Sequence, residues 1–185
     1  MLTGEAGNGG SGSIGLFTSS AVNGLSGTIS IKAGKSLGQG GAVIVGGGAS
    51  KQSTGGYIKI SSGSSTVLNS GSVVVESKSG SASGKLSINS GDALDGYSGN
   101  INVASGDAVN GGSGDIILAV GKSDVGDGGN LSITGGYSSS GNGGTVSIQS
   151  GASSVGDSGS LTFETGNGGL TGASGDTVSY THLRA

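Results

Sequence analysis

The chain has 185 residues, of which 45 are Gly and, counted along the sequence, 37 are Ser. Net charge is −3 and the charged residues are 10% of the total, so no basic stripe exists for nucleic acid. There is no Cys and no Pro, which excludes disulfide staples and thiolate metal sites and leaves nothing to interrupt a backbone ladder.

Taken in chain order, the predicted elements are eleven apolar doublets. They are Ile14/Leu16, Ile29/Ile31, Val43/Val45, Ile58/Ile60, Val73/Val75, Leu86/Ile88, Ile101/Val103, Ile116/Leu118, Leu131/Ile133, Val146/Ile148 and Leu161/Phe163. Their first members are 15, 14, 15, 15, 13, 15, 15, 15, 15 and 15 residues apart. A Gly/Ser tract without a period reads as a flexible linker. Apolar residues at fixed intervals read as a repeat array instead.

With the Gly two residues before each doublet as position 1, the unit is G-x-[ILV]-x-[ILV]-x-[ST]-G-x-[AS]-x-x-G-x-[SG]. Gly99–Ser113 and Gly144–Ser158 are clean copies. Positions 2 to 6 alternate polar and apolar, the two-residue period of a strand with one covered face. Position 8 is Gly in most units (Gly34, Gly63, Gly91, Gly106, Gly121, Gly136, Gly151, Gly166), as a corner with φ > 0 or a close backbone approach would need. Position 10 is small (Ser65, Ala93, Ala108, Ser123, Ser138, Ser153), and position 13 carries a second Gly that would turn the chain back.

The pattern predicts an all-β fold: a single-stranded parallel β-solenoid, right- or left-handed, with one 15-residue repeat per coil. Stacked coils about 4.8 Å apart would make a rod of about 50 Å. The doublets would form an inner stack facing the small residues of position 10. Two repeats per coil, giving 30-residue coils, is the alternative, and an antiparallel meander the third option. Residues 4–175 are read as one array cut from a longer protein, because Thr3–Ser11 already fits positions 7 to 15 and no cap precedes it. Residues 176–185 break the phase, since Thr177 and Ser179 stand where a doublet is due.

Ordinary catalysis is not expected. The only His, His182, lies in the phase-broken tail, and the carboxylate pairs Asp92/Asp95 and Asp124/Asp127 fall in Gly-rich corners where Asp serves turns. Gly46–Gly48 and Gly126–Gly129 lack the following helix of a phosphate cradle. The sequence implies no cofactor. Position 14 gives Asp127, Asn142 and Asp157 in successive units; stacked one coil apart, they would offer oxygen ligands to a loosely held cation. Tyr57, Tyr97 and Tyr137 occupy three different positions and form no aromatic platform for polysaccharide. Outward small polar residues at Asn130/Ser132/Thr134, Thr145/Ser147 and Ser160/Thr162, all but Asn130 hydroxylic, make an irregular array for an ice-binding face, interrupted elsewhere by Ile44, Lys59, Glu76, Lys85 and Ile117.

Asn110–Leu118 and Asp157–Phe163 resemble copies of SGxSGxIxIxSG, so residues 4–175 resemble the Gly/Ser-rich β-strand repeat proteins of diatoms and related algae. Similar repeats occur in fibre proteins of marine viruses. The octet Val178–Ala185 resembles a translated sequencing adaptor. The resemblance implies a long, secreted or surface-displayed protein without assigned catalysis and carries over no site residues.

The expected function is therefore a non-enzymatic structural or surface-displayed protein: a spacer, matrix component or adhesive stalk. A flat-face binder of ice or polysaccharide and a viral fibre segment are the alternatives. Localisation is expected at the cell surface or outside the cell, although no secretory signal opens this segment. The expected partner is the chain itself, end to end through unpaired strand edges, with surface or polysaccharide contact as a further expectation. No nucleic-acid partner is expected, and no membrane span, because no apolar run approaches about 18 residues.

Overall fold

A computed structural model describes Thr3 and residues 11–181. Among the described residues there is no helix and no β-strand. The chain divides into two units, Met1–Asn89 and Ser90–Ala185. The expectation of a parallel β-solenoid, in either its 15- or 30-residue form, is overturned, and so is the meander. The expected start of the array over residues 4–10, and His182 and Arg184 of the tail, lie outside the described residues.

The period nevertheless governs the backbone. The chain bends at 22–24, 37–39, 51–53, 66–68, 80–82, 94–96, 109–111, 124–126, 139–141, 154–156 and 170–171. Nearly all of these are positions 11 to 13 of their unit. Between bends, exposure keeps a two-residue rhythm. Ile116 is 51% exposed, Ile117 81% and Leu118 69%, although all three are aliphatic. Such alternation marks an extended segment whose odd positions share a side.

Each bend lies in a loop whose ends can close. The Gly56 N–H donates to the Gly48 carbonyl at 2.8 Å, Gly71 to Gly63 at 2.9 Å, Gly144 to Gly136 at 2.8 Å and Gly159 to Gly151 at 2.9 Å. In every case position 1 of one unit bonds position 8 of the unit before it, across seven residues. The same bond from Gly41 to Gly34 spans six residues and lengthens to 3.3 Å. These are compact loops with adjoining ends, of the Ω type.

Where it closes, this neck is the geometric reason why no coil forms. A parallel stack needs position 1 of each unit beside position 1 of the previous one. In these units it sits beside position 8 instead, seven residues and, for extended chain, about 23 Å further on. The next extended segment starts where the last one ended. No stacked partner is left to complete a ladder, and the doublets face solvent. No hydrophobic residue is buried among the described residues. The chain exposes 18,734 Å², whereas a compact monomer of 17.2 kDa would expose about 7,800 Å².

The small residue of position 10 has a different task from the one expected of it. It does not line a core. Ser50, Ser65, Ser138 and Ser153 each accept an N–H from position 13 at 2.9–3.0 Å, and Ser36 accepts the position 12 N–H of Gly38 at 3.1 Å. A hydroxyl that bonds backbone two or three residues ahead holds a turn. The five loops with an accepting serine are the same five whose necks carry the glycine–glycine bond. Ala93 and Ala108 cannot accept, and Ser123 instead donates to the Val125 carbonyl at 2.9 Å. Their three loops lack the neck bond.

Glycine is required at positions other than position 8. A Cβ added at Gly63, Gly91, Gly136 or Gly151 would meet nothing within 4 Å, and none of these has positive φ. Among the described residues the left-handed glycines are Gly24, Gly96 and Gly126, with φ of 125°, 98° and 93°, all at position 13 of loops without an accepting serine. Close approach falls on position 7 in two units, where a Cβ on Gly47 or Gly135 would run into the carbonyl oxygen of Gly56 or Gly144, and on position 1. A Cβ on Gly144 would lie 2.8 Å from the Gly136 nitrogen, and one on Gly71 would lie 3.3 Å from the Ser62 Cβ.

Two outcomes follow, both read by backbone amide hydrogen exchange. Ser153→Ala should free the Gly156 amide and also open the neck, so that exchange at Gly159 rises about 3- to 10-fold, the worth of one net hydrogen bond. Ala93→Ser should create the missing bond between Gly99 and Gly91 and slow exchange at Gly99 by a similar factor. At the neck itself, Gly144→Ala should deprotect residue 144, while Gly151→Ala should leave the Gly159 amide unchanged. Equal effects of the two glycine substitutions would show that position 1 is not the crowded one.

Candidate functional surface

The sequence-predicted site residues all belong to loops or segment ends and all are exposed. Asp95 and Asp124 lie within the bends at 94–96 and 124–126, with Asp92 before the first and Asp127 after the second. Asp124 pairs with Lys122 at 3.0 Å and Glu76 pairs with Lys78, each across two residues and with both side chains in solvent. Exposed pairs of this kind contribute little to stability, about 0–1 kcal/mol. Among the described residues no group of three His, Cys, Asp or Glu could hold a metal ion, and no pocket opens.

Asp127, Asn142 and Asp157 follow the bends at 124–126, 139–141 and 154–156. Their expected alignment came from stacking one coil on the next, and with the coil gone they are three separate loop residues. Gly48, in one of the glycine-rich stretches, uses its carbonyl to close a neck, and Gly126, in the other, supplies a left-handed bend. The hydroxyl positions from Asn130 to Thr162 stand on unpaired segments rather than on a sheet. Among the described residues no helix is long and apolar enough to cross a membrane.

What the structure brings out is the segment face itself. Six charged residues fall within positions 1 to 7 of the units: Lys32, Lys59, Glu76, Lys85, Asp115 and Glu164. All occupy even positions. The odd side, carrying the doublets, has no charge in any unit. A second apolar set crowns the bends at positions 11 and 12, where Val22, Leu37, Leu94, Val109, Val125 and Val155 are more exposed than the doublets. Sorting charges by repeat position would have revealed the charge-free side without coordinates.

No family model, curated protein or solved structure matches the chain.

The separation of the three position-14 residues predicts the response to calcium. Any millimolar calcium-induced chemical-shift change at Asp127 or Asp157 should be unaltered by Asn142→Ala. A loss at both aspartates would mean that the three act as one site.

Proposed function

We propose that the chain is a non-enzymatic structural repeat protein, a spacer or stalk displayed outside the cell. The observation that carries this reading is the recurrence of one local device, a serine-held loop with a glycine neck, in five of the loops. No unit is distinguished from the others as a place of chemistry. Acid–base and nucleophilic catalysis draw on side chains converging where water is restricted. Among the described residues the carboxylates stand singly or in exposed local pairs with lysine, on segments and loops alike.

A loop closed by its own neck owes little to the loop before or after it. Units of that kind can be added or removed without redesign, so unit count sets the distance between whatever lies on either side. The Gly/Ser-rich loops and the small, mixed charge suit display in water without recruiting polyanions.

The absence of native Cys allows a direct test. Chains of five, eight and eleven units, each with a cysteine introduced at either end and labelled with a dye pair, should show a mean separation that grows with every unit added, at dilution where chains do not meet. A separation that stays constant from five to eleven units would overturn the spacer reading.

A further inference from the structure

We propose that the doublet side of this chain is covered by a second copy of the same chain, lying parallel and in register, unit against unit. The sequence reading expects association end to end, through strand edges at the termini. Among the described residues no strand provides such an edge, and exposed apolar doublets recur in both units of the chain.

The first argument is the exposed surface. The excess over a compact monomer is on the order of 11,000 Å², while each partner in a stable complex contributes about 800 Å². Both members of all eleven doublets are 49–75% exposed, and apolar side chains left uncovered in this number mark an interaction surface. The doublet side is suited to contact because every charge of the segments lies on the other side. A net charge of −3 spread over 185 residues gives two copies little reason to repel.

The identity of the occupant follows from the spacing. A partner that covers the doublets must offer apolar groups at the same intervals, and this chain carries them. The intervals also fix the register. Those of 14 and 13 residues fall at Ile29–Val43 and Val73–Leu86, while the five from Leu86 to Leu161 are all 15. Two parallel copies with no offset match every interval. A shift by one unit opposes 14 with 15 and 15 with 13, so doublets on either side of the mismatch slip by one or two residues. A slip of one turns the doublet to the wrong side. An antiparallel copy presents the irregular intervals in reverse order and fails in the same way. The inference does not depend on the spacer reading, since dye separations at dilution report single chains and the following experiment reports pairs.

The full chain is used with a single cysteine at Val103→Cys, on the doublet side, or at Val109→Cys, on a bend crown. Random collision would favour position 109, because Val109 is 93% exposed and Val103 71%. The proposal predicts the reverse under mild oxidation: Val103→Cys should cross-link about tenfold faster than Val109→Cys. In equal mixtures of Val103→Cys with Leu118→Cys, of distinguishable length, like should pair with like. In sedimentation, the unmodified chain should dimerise with rising concentration. Ile101→Asp with Val103→Asp should weaken the dimer several-fold, while Asn100→Asp with Asn102→Asp adds the same charge on the other side and should change it little. Because the doublets are not a core within one chain, loss of dimer cannot be ascribed to lost folding. Faster cross-linking at the crown, equal effects of the two double substitutions, or a monomer at every concentration would overturn the proposal, even if that monomer bound polysaccharide or lipid vesicles.

Discussion

The bond between two glycines at the loop neck is the constraint on which the rest of the structure depends. At five junctions it brings position 1 of a unit against position 8 of the one before. From that follow the crowding of position 1 at Gly56 and Gly144, the small residues at position 7 such as Ser62 and Ser150, and the absence of a stacked neighbour for the segments so joined. A single backbone hydrogen bond is modest in net energy. It acts here on a loop of only six or seven residues, where closure costs little entropy compared with pairing distant segments.

The neck and the bend are coupled. A serine hydroxyl at position 10 gathers the amides of positions 12 and 13, which shortens the loop and delivers the following glycine to its carbonyl. Where alanine takes its place, the bend at 94–96 is made instead with a left-handed Gly96, and the neck stays open. Two local solutions thus exist for the same change of direction, one through a side-chain acceptor and the other through a φ value that favours glycine. The high content of Ser and Gly is specific in this light, because each residue type serves a named position.

The period, the extended segments and the turning role of position 13 were legible in the sequence. The partner of each segment was not. Alternation such as Asn100-Ile-Asn-Val103 reports that one side differs from the other, and is silent on what covers the apolar side. Reading the doublets as an inner stack supplied a partner that the neck geometry withholds. The same step misassigned position 10, because small residues suit both a tight core and a turn, and only the hydroxyl bonds of Ser65 and Ser153 separate the two. The aligned Asp127, Asn142 and Asp157 depended on the stack and lost their alignment with it. The charge-free odd side was present in the sequence throughout, in the positions of Lys59, Lys85 and Asp115.

The irregular units show what the repeat conserves within this one chain. In the unit beginning at Gly27 a residue is missing from the loop, and the neck stretches to 3.3 Å. In the unit beginning at Gly71 two are missing; no neck bond forms, yet Gly84 still stands over Ser77, 3.8 Å from its Cβ to the Cβ that Gly84 would carry. Both shortenings fall between position 8 and the next position 1. Neither touches the doublet or its phase relative to the preceding glycine. A loop with only itself to satisfy can lose a residue at the expense of its own bond. A segment that loses one residue turns its second aliphatic group to the charged side. The chain thus absorbs its length changes in the loops and keeps the segments intact, and on the proposed pairing that constraint is the second copy meeting the doublet face.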